Sequence, residues 1–158
     1  MCNGNNPPPV IPPTPLPITI YVSRIGNSTN LSLKQGNSAP GSPGDPDDDT
    51  LVTDVELNQV IEWKVDPNPD PGRNNDITLM HIKAADNSIA KYTNSQQLLV
   101  NDQYAAVAGV ITGTVIGISL TPTQPNIKPF ENYQIGYFVN SDPAKTEVWD
   151  DPKLRVKT

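Results

Sequence analysis

An all-β fold, an antiparallel two-sheet β-sandwich, is predicted by three features of this 158-residue sequence. Its 18 prolines leave little room for long helices, because an interior proline removes a helix hydrogen bond and collides with the preceding turn. Val, Ile and Thr, at 13 each, outnumber the helix-favouring Ala, Leu, Met and Glu. Short runs that alternate apolar and polar residues are separated by Gly, Pro, Asn and Asp, the residues that turn a chain. A chain of this size with one such core is expected to form a single domain, here residues 18–158, behind a leader at 1–17.

The leader holds seven prolines in its first seventeen residues, after the polar stretch Asn3-Gly4-Asn5-Asn6. This predicts a semi-rigid polyproline II tether. Cys2 directly before that stretch resembles the mature start of a bacterial lipoprotein, which implies a lipid anchor at Cys2 and a place at a cell surface. From Ile18, alternation sets Ile18, Ile20 and Val22 on one face and Thr19, Tyr21 and Ser23 on the other, a half-buried strand. Leu31 and Leu33 follow the turn Gly26-Asn27-Ser28, so residues 18–34 are expected to form a hairpin. Further strands are predicted at Val60–Val65, with Ile61, Trp63 and Val65 inward, at Ile77–Ala84, from Tyr133 to Val139, and around Leu154 and Val156. The uncharged stretch Ala105–Leu120 is expected as a strand whose one face alternates Val107, Ile111 and Val115 with Gly109, Gly113 and Gly117.

Trp63 in a central strand, and Tyr133 two residues before Ile135 in a late one, resemble the immunoglobulin-like sandwich. The resemblance implies a core tryptophan between the sheets and a tyrosine bonded back to the backbone at a strand corner. Both cysteines of that family are missing, with Ile135 standing where the second would fall. A cupredoxin-like sandwich would give the same strand pattern, and the two alternatives stay open at the level of sequence. In either case the sandwich has neither a disulfide nor copper ligands.

Composition excludes several chemistries. Cys2 is the single cysteine and His81 the single histidine, so the chain alone cannot assemble an internal disulfide, a type 1 copper centre or a zinc site that needs two imidazoles. A net charge of −6 with three arginines argues against nucleic acid, whose affinity comes from cations neutralising phosphate. No stretch has the length and apolarity of a transmembrane helix. His81 is expected on the face of Ile77 and Leu79 as a hydrogen-bonded structural residue, and without a Gly-x-Ser-x-Gly elbow nothing presents a nucleophile to it.

Ten of the 17 acids lie between Pro40 and Asp76. Carboxylates this dense repel unless solvated or bridged, and hard oxygen ligands favour calcium. Two acidic loops follow, at 36–50 and 66–76. In the first, Asp45, Asp47 and Asp49 alternate as in an EF-hand loop, but Thr50 occupies the position that needs glycine and Pro46 follows the first ligand. The loop is therefore either solvated or a calcium site of another geometry. The second, Asp66-Pro67-Asn68-Pro69-Asp70-Pro71-Gly72, has the same two readings.

The expected function is non-catalytic: an extracellular or cell-surface binding or structural module whose partner is another protein or a surface glycan. One alternative is a carbohydrate-binding module, calcium-assisted or not, that stacks sugars on Tyr21, Tyr92, Tyr104 or Trp149. The other is a subunit of a surface assembly or filament that uses its leader or an edge strand to complete a neighbour's sheet.

Overall fold

Eleven strands carry the regular structure of the computed structural model, which describes residues 4–11, 13–36, 52–56, 58–84, 103–115, 130–150 and 153–156. They are β1 (Ile18–Ile25), β2 (Leu31–Gln35), β3 (Val52–Val55), β4 (Val60–Val65), β5 (Arg73–Asn74), β6 (Ile77–Ala84), β7 (Gln103–Ala105), β8 (Val110–Thr114), β9 (Phe130–Val139), β10 (Val148–Asp150) and β11 (Lys153–Val156). Among the described residues there is no helix, and so none long and apolar enough to cross a membrane.

Two sheets pack face to face. The first runs β2-β1-β4-β8, with β5 pairing the far end of β1, and the second runs β3-β11-β9-β6-β7, with β10 beside β9. Most neighbours are antiparallel, as expected, but β1 lies parallel to β4 and β3 parallel to β11. A parallel pair needs a long crossover, and the chain supplies one each time by passing to the opposite sheet before it returns.

The β1–β2 hairpin forms where alternation placed it, with Val22 opposite Leu33 and Arg24 opposite Leu31. Ser28 closes its turn through both its N–H and its hydroxyl, which donate to the Ile25 carbonyl at 2.9 and 2.7 Å. The inward faces of the two sheets meet in one core, to which β1 gives Ile20 and Val22, β4 gives Ile61 and Trp63, and β9 gives Tyr133, Ile135 and Tyr137, all fully buried. Each aliphatic side chain there stabilises the fold by about 1.5–3 kcal/mol relative to exposure.

Trp63 joins the layers. Its Nε1 donates to the Tyr133 hydroxyl at 3.0 Å, and the rings meet edge to face with centroids 5.5 Å apart. Tyr137 bonds to the backbone: its hydroxyl donates to the Thr29 carbonyl in the β1–β2 turn. Tyr133, like Trp63, is a fully buried core residue between the sheets.

The stretch expected as one strand from Ala105 to Leu120 is broken within its described part, residues 105–115. β7 pairs with β6 in the second sheet, β8 pairs with β4 in the first, and the chain crosses between them at Ala108 and Gly109. Both residues have positive φ, 51° and 79°, and Val107 and Val110 exchange backbone hydrogen bonds of 2.8 and 3.1 Å across them. This is the two-residue turn whose twist matches paired strands. Gly109 therefore serves the turn, and Val107 is 77% exposed instead of lining a face. Gly113 does lie in a strand, opposite Ile61, while Gly117 lies outside the described residues.

Candidate functional site

β6 does not keep a regular alternation. Leu79 pairs with Tyr137 and His81 with the next residue of β9, Gly136, so β6 carries one extra residue at Met80. A bulge of this kind reverses which side chains face inward beyond it. Ile82 enters the core in place of His81, whose side chain is 28% exposed on the outer face. The sequence expectation that His81 shares the face of Ile77 and Leu79 is thus corrected, and the bulge is the reason.

On that outer face His81 meets a group assembled from three strands and a loop. Its Nδ1 lies 2.7 Å from Oε1 of Glu147, just before β10. Trp149 of β10 sits opposite Gly136 and stacks on the His81 imidazole at 6.3 Å between centroids, and the Lys83 ammonium lies 4.1 Å from the centre of the indole. Gly136 makes the arrangement sterically possible. A β-carbon there would stand 2.5 Å from Glu147 Oε1 and 2.9 and 3.0 Å from two carbons of the indole. The central strand is bare at one position, and Trp149 lies across the gap toward β6.

Asp142 shapes the loop that delivers Glu147. Its two carboxylate oxygens accept the N–H groups of Ala144, at 3.0 Å, and Thr146, at 2.9 Å. These backbone hydrogen bonds, Thr146's first, hold the Asp142 carboxyl below its ordinary range. Lys145, with φ of 49°, places its ammonium 4.5 Å from the centre of the Phe138 ring. Chemically, the cluster offers an imidazole oriented by a carboxylate, an aromatic surface and a cation.

The acidic turn at 66–76 is organised by cations from the first hairpin. Asp66 is buried, accepts the Asn68 N–H at 2.9 Å through one oxygen and meets the Lys34 ammonium at 2.8 Å through the other. Asp70 lies 3.8 Å from the same ammonium, and Asp76 takes Nε and Nη2 of Arg24 in a two-pronged pair at 3.0 and 2.5 Å. The hydrogen bond to Asp66 raises the Lys34 pKa, and the one to Asp76 raises that of Arg24. The turn is thus neither a freely solvated loop nor a bare carboxylate cluster: lysine and arginine neutralise it.

Among the described residues, no group of three or more His, Cys, Asp or Glu side chains is arranged to hold a metal. Asp45, Asp47 and Asp49, the calcium candidates, and Cys2, the lipidation candidate, lie outside the described residues, as does Tyr92. Of the other sugar-stacking candidates, Tyr21 has the Lys64 ammonium 5.7 Å from its ring centre and Tyr104 packs against the core. Trp149 is the one that belongs to a polar cluster. Glu147, Lys83 and Gly136 were not singled out by sequence reasoning. The signal that could have found them is a glycine in a strand, Gly136, which marks a bulge or a close approach.

The leader completes the inventory. Its described residues are exposed except Pro15, which is half-buried, and Val10, Ile11 and Leu16 are 91%, 84% and 83% accessible. Gln59 Nε2 donates to the Leu16 carbonyl at 2.8 Å and ties the end of the leader to the domain. The chain matches no protein-family model and no curated protein.

Proposed function

We propose that the chain is a non-catalytic β-sandwich module acting outside the cytoplasm at a cell surface, with the sandwich as a rigid support and the leader as its contact segment. The observation that carries this reading is the distribution of exposed apolar side chains. Three of the four large exposed hydrophobics among the described residues, Val10, Ile11 and Leu16, stand on the leader. Exposed apolar groups gathered on one segment mark a surface that is covered in use. The folded part, by contrast, engages its lone histidine and its two buried-turn cations in pairs at 2.5–2.8 Å.

The test is saturable binding of the fluorescently labelled chain to intact cells of its source. Replacing Val10, Ile11 and Leu16 together by serine is expected to abolish it, and unchanged binding overturns the reading. Both sandwich resemblances, immunoglobulin-like without the disulfide and cupredoxin-like without the metal centre, accommodate the parallel β1–β4 and β3–β11 pairs. Cys2 would then anchor the leader in lipid, a role tested by incorporation of labelled fatty acid. Calcium binding by Asp45, Asp47 and Asp49 would appear as a rise in melting temperature that sodium of equal ionic strength does not reproduce.

A surface glycan is the second reading, favoured by Trp149 beside His81 and Glu147. Its test is a glycan array in which Trp149→Ala removes the signal.

A further inference from the structure

We infer that the leader is a one-sided pairing strand that adds to the edge of β8 in a second copy of this chain. The inference rests on the reading of the leader as the contact segment and names its partner.

In a β-strand the N–H and C=O of one residue point to the same side, and those of the next residue to the other. The phase of this part of the chain is set by bonds in the structure. The Thr19 carbonyl accepts from Gly36 on the β2 side, whereas the Val22 carbonyl accepts from Asp66, and the Leu16 carbonyl from Gln59, on the β4 side. Odd positions therefore face one way and even positions the other. Carried back through the leader, the odd positions are Pro9, Ile11, Pro13, Pro15 and Pro17, and the even ones are Val10, Pro12, Thr14 and Leu16. Paired as a strand, the leader has one edge with a single N–H and another with three. Proline is tolerated in sheets where its missing N–H would face outward on an edge strand. The pattern is that of a strand able to pair on one side and unable to be extended on the other.

Two observations point to a second copy and to β8. The chain carries a net charge of −6, so copies repel, but residues 1–17 contain no charged residue and neither does β8, Val110–Thr114. A neutral arm meeting a neutral edge is the approach that repulsion penalises least. On β8, Val115 exchanges backbone bonds with residues 58 and 59 before β4, which turns the N–H and C=O groups of Thr112 and Thr114 to the opposite edge. Thr112 is exposed, and Val107, the remaining large exposed hydrophobic among the described residues, stands at the turn that opens β8. Pairing of the leader with this edge sets Val10 and Leu16, which share one face of the strand, on the sheet whose β8 hairpin carries Val107.

The experiment is light scattering on the full chain after size exclusion, across a concentration series. A mass above the 17.1 kDa of one chain is expected, rising with concentration. Thr14→Pro, which removes an N–H from the pairing edge while leaving polyproline II intact, is expected to return the monomer mass. Pro13→Ala, which alters only the other edge, is expected to leave the association in place. Thr112→Pro, on the acceptor edge, is expected to act like Thr14→Pro, with circular dichroism showing that the sandwich is retained. A chain monomeric at every concentration overturns the inference, as does association that survives Thr14→Pro or falls equally with Pro13→Ala. A monomer that still binds cells through Val10, Ile11 and Leu16 would overturn the second copy as partner and leave the proposed function standing.

Discussion

The two tryptophans sit in opposite situations, and the contrast shows two ways in which a sheet places a large side chain. Trp63 is fully buried, paired in register with Ile20 on one side and Ile111 on the other, and hydrogen-bonded to Tyr133. Trp149 lies on the outer face, where no hydrophobic core holds it, and is kept in place by a missing side chain at Gly136 and by the neighbours His81 and Lys83. The first is positioned by regular alternation and the second by departures from it. Regularity makes the core, and the irregular positions make the surface feature.

The largest test of this contrast is Trp63→Ala. Truncating a buried aromatic removes its transfer free energy and leaves a cavity, so about 3–5 kcal/mol of stability should be lost in chemical denaturation. A loss near 1 kcal/mol would mean that the layers are held elsewhere. Tyr133→Phe comes next. It keeps the ring but leaves the buried Trp63 N–H without its acceptor, which costs about 1–3 kcal/mol. If that variant is as stable as the parent, the tryptophan is held by packing alone.

Period-two alternation made most of the core legible, because one face of each strand is buried and the other is not. Ile20, Val22, Ile61 and Trp63 all lie where the sequence predicts. The outer cluster was not legible, for a specific reason. Its placement depends on a bulge at Met80 that no residue type there announces, and without it His81 would point into the core. The turn at Ala108-Gly109 was missed in a related way: two-residue hairpins are usually signalled by Asn-Gly or Asp-Gly, and alanine disguises this one. The ion pairs of the 66–76 turn were hidden because Arg24 and Lys34 are distant from it in sequence and come close only through the hairpin and the β1–β5 pairing.

Charge pairing at that turn gives a test that separates it from both tryptophans. The Lys34 pKa is raised by Asp66, so the pair's contribution is complete below the ordinary lysine value and is lost as pH rises through the raised one. Thermal melts above neutral pH should therefore show a decline at the alkaline end that is smaller in Lys34→Met. An identical alkaline decline in both proteins would assign the loss to other groups.

The smallest effects belong to the outer face, and there the coupling is more informative than either single change. Gly136→Ala forces a β-carbon against Glu147 and the indole, and overpacking of this kind costs about 1–3 kcal/mol. The low end is expected, since both neighbours can swing toward solvent. Trp149→Ala removes a half-buried ring and its contact with Lys83, worth about 0.5–1 kcal/mol at an exposed site. Combined, the two substitutions should cost less than their sum, because the alanine at position 136 no longer meets an indole. Residues in direct contact show couplings of about 0.5–3 kcal/mol in such cycles. Strict additivity would mean that Trp149 does not rest on Gly136 in solution, and the distinction between a tryptophan placed by alternation and one placed by a gap would fall with it.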